Sequence, residues 1–148
     1  MITLDQVETR DNLRIVSDIG SRLPIYCTSQ GKVFLAHMSR TSAEALLRAQ
    51  HMTQFTPHTI TDLTALMQEI DLCRTDGYAI ENGEYKIGLR SISAPVYTVE
   101  GKARYTVGVI GMFRSTRSDE FLAAVEQVCA TASMISTALG YRKTEELL

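Results

Sequence analysis

The residues with the clearest chemical potential run from Arg22 to Ala36, Arg-Leu-Pro-Ile-Tyr-Cys-Thr-Ser-Gln-Gly-Lys-Val-Phe-Leu-Ala, where an apolar extended piece passes through small polar residues into a helix. Pro24 favours extended backbone, Thr28 and Ser29 are good N-cap types, and Lys32 to Met38 reads as helix with Val33, Phe34, Leu35 and Ala36 as apolar surface. The first turn of a helix leaves amide N–H groups unpartnered at the positive end of its dipole, so a carboxylate or phosphate can dock there. Gly31 removes side-chain bulk from that approach. Taken alone, the same residues describe an ordinary capped helix start. They do not make a nucleotide loop, which needs Gly, four spacers and then Gly-Lys-Ser/Thr. Here position 26 is Tyr and Val33 follows the lysine.

Two other groupings could carry chemistry. Cys27 sits beside the helix start, where a thiolate is favoured, and a histidine partner need only be near in space; the alternative is a small buried hydrophobe. His37, His51 and His58 show no metal spacing and read as solvent-facing or loop residues. Asp76, Glu81 and Glu84 cluster around Asn82-Gly83. They form either a solvated turn or a place where one carboxylate turns inward to accept hydrogen bonds from a ligand hydroxyl or a water.

These groups need elements to position them. Ile2 to Val7 alternates apolar and polar residues, and Leu13, Ile15 and Ile19 suggest a second strand, with Asp11-Asn12 as the turn of a hairpin. Because a strand begins at its first residues, the chain reads as cut from something longer. Thr41 or Ser42 can cap a helix through Ala49, and a third helix from Asp62 to Thr75 carries Leu63, Leu66, Met67, Ile70 and Cys73 as a core stripe ended by Gly77. Ile87 to Tyr97 and Arg104 to Phe113 read as paired strands joined through Gly101. Gly108 and Gly111 mark a close backbone approach, a bulge, or room for something else. A last helix follows Ser118 to Leu139, with Phe121, Leu122, Val125, Val128, Cys129, Ala132, Ile135 and Leu139 as its buried face. Strands joined partly by hairpins and partly through helices predict a mixed α/β (α+β) fold, mostly antiparallel.

Composition agrees with one globular domain: 148 residues, 45% hydrophobic and 22% charged. Fifteen basic against seventeen acidic residues, with no basic cluster, give no nucleic-acid surface. Three widely spaced cysteines without a Cys-x-x-Cys pair argue against a disulfide framework or structural zinc and for a reducing, cytoplasmic compartment. No metal or cofactor is expected. No secretory leader is visible, and no apolar run approaches the roughly 20 residues of a membrane span.

An ordered set of blocks adds to this reading. Gly20-x-Arg22-Leu-Pro24 through Gly31-Lys32-x-x-Leu35-Ala36 is followed by Thr56-Pro-His-Thr59-Ile60-Thr61 and then Arg74-x-x-Gly77-Tyr78. Glu84-x-x-x-Gly88-Leu89-Arg90-Ser-Ile-Ser-Ala94-Pro95-Val96 and Leu139-Gly140 complete the set. Together they resemble the effector-binding domain of IclR-type transcriptional regulators. The resemblance implies a GAF-like sandwich with a sheet of about six strands and helices packed on it. It implies that residues 1–148 are one effector-binding domain, beginning later than in intact relatives. The N-terminal winged helix-turn-helix of such regulators is expected to lie outside this chain, which alone should not recognise an operator.

The resemblance also implies a site. A ligand carboxylate would meet the amides of Ser29 and Gln30, with Gly31 just beyond; Glu81 would be the acidic contact; Leu89 and Ser91 would share one face of a strand; Gly108 and Ile110 would share the next. Ile15 and Leu23 would form an apolar lip. Some relatives carry serines where this chain has Gly108 and Ile110, so a roomier, more apolar pocket is expected, for a small organic acid beyond two or three carbons, such as a sugar acid or an aromatic acid. Homodimers, or tetramers made from them, are implied as well. The alternatives are a GAF-like enzyme using Cys27 as nucleophile and a dimerisation module with a vestigial pocket.

Overall fold

The computed structural model describes residues 1–8, 15 and 18–142. Four helices and three strands follow in the order α1 (Ser29–Ala36), α2 (Arg40–Arg48), α3 (Leu63–Asp76), β1 (Ala79–Asn82), β2 (Arg90–Tyr97), β3 (Ala103–Gly111) and α4 (Asp119–Ala138). The strands form one antiparallel sheet in the order β1-β2-β3. The described residues therefore hold three strands, against the about six expected. At the N-terminus, only an isolated bridge between Ile2 and Arg22 stands where a strand was predicted. The Asp11-Asn12 turn and Leu13 lie outside the described residues.

Local chemistry fixes the helix starts. Thr28, Ser39, Asp62 and Ser118 each accept a backbone N–H from the first turn, as N-cap residues do. The cap of α2 is thus Ser39 rather than Thr41 or Ser42, because its Oγ reaches the Ser42 N–H at 3.1 Å. Gly77 ends α3 in the left-handed region, φ 78°, with its N–H on the Cys73 carbonyl. Arg74 of α3 donates to the carbonyls of Leu35, Ala36 and Met38, closing the C-terminal end of α1.

The sheet carries helices on both faces. Ile92, Ala94 and Val96 of β2 pack on Phe121, Val128 and Ala132 of α4. On the other face, α1 and the buried stripe of α3, Leu66, Met67, Ile70 and Cys73, form the second apolar cluster with Ala79 of β1. Two findings stand out here. Ile87 to Leu89 is not strand, and Ala79–Asn82 is one; of the two readings of its acidic cluster, a solvated turn or an inward carboxylate, Glu81 at 2% exposed takes the second. The burial of α4 is also narrower than predicted: Phe121, Val128, Ala132 and Ser136 are buried, whereas Leu122, Ile135 and Leu139 stand exposed at its flanks. By length and composition α4 could cross a membrane, contrary to the sequence reading. It nevertheless seats its Phe121 side on the sheet, and its Ser136 Oγ accepts a hydrogen bond from the Tyr97 N–H at 2.9 Å.

Gly31 has a different purpose from the one its position suggested. A Cβ there would lie 2.1 Å from the Ile25 carbonyl oxygen, so the missing side chain admits the chain's own entering segment rather than a ligand. Gly31→Ala is expected to cost about 1–3 kcal/mol, as overpacking does, read as a lower urea midpoint with an unchanged slope. A variant as stable as the parent would contradict this packing.

Candidate functional site

The sheet register places predicted residues in rows. Glu81 pairs with Ser91, and Ser91 with Ile110; Ser93 pairs with Gly108. Paired residues share a face, so Glu81, Ser91, Ser93, Ile110 and Gly108 all address the α1 side. Above them the buried Ser29 Oγ lies 2.8 Å from both Ser91 Oγ and Ser93 Oγ.

Directions in this hydroxyl cluster follow from the proton count. Ser91 donates to Glu81 Oε2 at 3.1 Å, and a hydroxyl has one hydrogen, so Ser29 donates to Ser91 and accepts from Ser93. The relay runs Ser93, Ser29, Ser91, Glu81. Glu81 does turn inward as one reading supposed, but its other oxygen is taken by the chain: Oε1 accepts the N–H groups of Glu84 at 2.5 Å and Tyr85 at 3.1 Å. Thr56 Oγ1 donates to the Gly83 carbonyl and Thr59 Oγ1 to that of Glu84, so the same loop is held from two sides.

The helix start keeps free donors. The Gly31 N–H goes to Thr28 Oγ1 and that of Lys32 to the Thr28 carbonyl, while no described residue accepts from the N–H of Ser29 or Gln30. Gln30 is half-buried; Gly108 and Ile110 are exposed; Leu89 is half-buried before β2. Gly108 does not enlarge a cavity as predicted. A Cβ there would meet Ser93 Oγ at 2.3 Å and the Ile92 carbonyl at 2.4 Å, so the glycine lets β3 lie close over Ser93. Ile15 and Leu23 are half-buried, and neither belongs to the apolar clusters. Among the described residues a cavity of about 450 Å³ lies beside His37 and Lys102 and another of the same volume between α3 and β1; neither is lined by the serines.

Ser93 and the pairing of Lys32 with Glu84 escaped the sequence reading, although Glu84 itself was named in the acidic cluster. Ser93 was findable, being two residues from Ser91 and so on its face. The pairing was not: the Lys32 ammonium, 1% exposed, contacts Glu84 Oε1 at 2.6 Å, the Ile80 carbonyl at 3.2 Å and Glu69 Oε2 at 3.5 Å. Nothing local signals a partner 52 residues away. Burial pushes the Glu84 carboxyl above its ordinary range, opposed by Lys32.

The chain matches the family model of the bacterial transcriptional regulator IclR C-terminal domain over residues 1–137. It belongs to that family. It is 28% identical over 141 residues to the HTH-type transcriptional repressor AllR of Escherichia coli K12, covering 95% of this chain and 52% of that protein. The chain thus spans about half the length of the curated relatives it matches. Among solved structures it resembles the C-terminal domain of the E. coli transcriptional regulator KdgR, with TM-score 0.74, 32% identity, and coverage of 95% of this chain and 85% of that one. It also resembles a double mutant of the inducer-binding domain of the Acinetobacter transcription factor PobR in complex with 3-hydroxybenzoic acid, with TM-score 0.70, 25% identity, and coverage of 82% of this chain and 69% of that one. The homologues are transcriptional regulators.

The alternative built on Cys27 meets an obstacle in the geometry. The residue is fully buried, and burial followed by the nearby Glu84 and Glu81 charges pushes its thiol up to about 12. Iodoacetamide at pH 8 should therefore label half-buried Cys129 first and Cys27 and Cys73 only on unfolding, as peptide mapping would reveal. Fast, selective alkylation of native Cys27 would reverse that order.

Proposed function

We propose that this chain is the effector-sensing domain of an IclR-family regulator, and that its effector is a small organic acid held over the serine relay. The observation that carries this is the pair of unpaired N–H groups of Ser29 and Gln30 at the positive end of α1, on the face where Ser91, Ser93 and Ile110 stand. An anion at that point gains charge-assisted hydrogen bonds, worth roughly twice neutral ones. Ser91 and Ser29 supply hydroxyls, Leu89 and Ile110 apolar contact, with Gly31, Gly108, Glu81, Leu23 and Ile15 shaping the surroundings. Of the two classes expected, the complex of the PobR domain variant with 3-hydroxybenzoic acid supports the aromatic acid.

Binding would act in the cytoplasm by favouring one arrangement of paired subunits, which requires a difference in affinity between arrangements. Contact with DNA would come through the amino-terminal region that the longer relatives possess. The exposed apolar flank of α4, with Leu122, Met134, Ile135 and Leu139, supports a role in assembly.

Melting the purified chain with sugar acids and hydroxybenzoates tests the reading. A true effector at a hundred times its Kd adds about 2.7 kcal/mol and raises Tm. Ser91→Ala and Ser29→Ala each break the relay on which the ligand rests and should weaken that ligand by about 5-fold, the worth of one neutral hydrogen bond. If no acid moves Tm, or if the variants bind as the parent does, the site is elsewhere.

A further inference from the structure

Helix α4 is apolar well beyond what the sheet covers. Of its twenty residues only Phe121, Val128, Ala132 and Ser136 are buried. Opposite them, Ala123, Gln127, Ala130, Met134 and Thr137, spaced alternately four and three apart, make a row that is exposed throughout and carries no charge. Met134 is 73% exposed, and Leu122 and Leu139 widen the face at its two ends. On the same side of the sheet, Tyr105 and Val109 of β3, paired with Val96 and Ile92, are exposed as well. Apolar surface gathered on one side in this way marks a contact with another protein surface.

The occupant follows from the order of charges along the helix. Its acidic residues, Asp119, Glu120 and Glu126, stand in the first half; Gln127 to Tyr141 holds no charged residue; Arg142 comes next. Arg114 and Arg117, ahead of the Ser118 cap, leave the acids in excess. A negative start, a neutral middle and a positive end are complementary to the same helix reversed, whereas a parallel pair sets like charges together. Laying Glu120 beside Arg142 of a second copy brings Leu122 to Leu139 of that copy and puts Ala130 beside the two-fold axis.

We propose that this face is an interface between two copies of the chain, which meet α4 on α4, antiparallel, about a two-fold axis beside Ala130. It rests on the assembly reading above and gives it a geometry. No residue of the serine relay lies on α4, so a failure of this pairing leaves the melting test of the organic-acid site unaffected.

Sedimentation equilibrium of the purified chain, with cysteine cross-linking, provides the test. The parent should be dimeric at about 100 µM, and Ala130→Glu, which sets two carboxylates together at the axis, should weaken the dimer about 10-fold or more. Ala130 is exposed, so that variant keeps the parent's Tm if the fold is intact. Glu120→Arg should loosen the dimer about 5-fold, and Arg142→Glu in the same chain should restore it. With Cys129→Ser as background, Ala130→Cys should oxidise to an interchain disulfide, and a chain with Ala123→Cys should link to one with Thr137→Cys rather than to itself. A monomeric parent, a dimer indifferent to Ala130→Glu, a charge swap that restores nothing, or self-linking of Ala123→Cys as expected of a parallel pair would each overturn the proposal.

Discussion

A lysine that keeps 1% of its surface in water dictates much of this molecule. Burying an ammonium costs several kcal/mol unless it is paired and hydrogen-bonded, so Lys32 compels the chain to bring Glu84 and the Ile80 carbonyl to it. That requirement ties α1 to the end of β1 and to the connection into β2. Lys32 lies one turn from Ser29, so the same tie sets the start of α1 over Ser91 and Ser93. The other end of the helix is fixed by Arg74. Pinned at both ends, α1 presents its first two amides at a defined height above the sheet.

Close approach is the second constraint, and glycine answers it twice. Gly31 admits the backbone of Ile25 under α1, and Gly108 lets β3 lie against Ser93. Gly31 was read as space for a ligand and Gly108 as either such space or a close backbone approach, and both places are filled by the protein itself. The consequence is a site with a polar, occupied floor instead of an empty chamber. Its hydroxyls already satisfy one another, so a ligand gains there only by offering better acceptors or donors than serine does.

How much of this the sequence disclosed can be judged from particular residues. The helix caps at Thr28, Asp62 and Ser118 and the stop at Gly77 were legible because each depends on chemistry within four residues. The stripe of α3 was legible from its period. Strand β1 was not, since four residues ending in Glu-Asn look like a turn until Ser91 and two backbone amides turn Glu81 inward. The exposed flank of α4 misled for a related reason: periodicity names an apolar face but not the width of the three-stranded sheet available to cover it. Of the predicted site, Ser29, Ser91 and Glu81 meet through hydrogen bonds, and Ile110 and Gly108 join them by register. Ile15 and Leu23 are not tied to them by any described hydrogen bond.

The direction of the hydroxyl relay constrains how an organic acid would lie in the proposed site. The relay ends on Glu81 Oε2, an acceptor already holding the Ser91 hydrogen, so the acceptor oxygens of a second carboxylate placed near Ser91 find no donor there. The ligand's carboxylate must therefore sit at the other end, by the Ser29 and Gln30 amides, whose N–H groups no described residue uses. Toward Glu81 only a neutral donor is tolerated, and an alcohol or phenol hydroxyl can replace the Ser91 hydrogen there. A hydroxy acid meets both demands at once, with its acid and hydroxyl groups apart; a diacid meets one and finds no donor at the other. Selectivity of this kind comes from unpaired or repelled groups in the wrong ligand as much as from contacts in the right one.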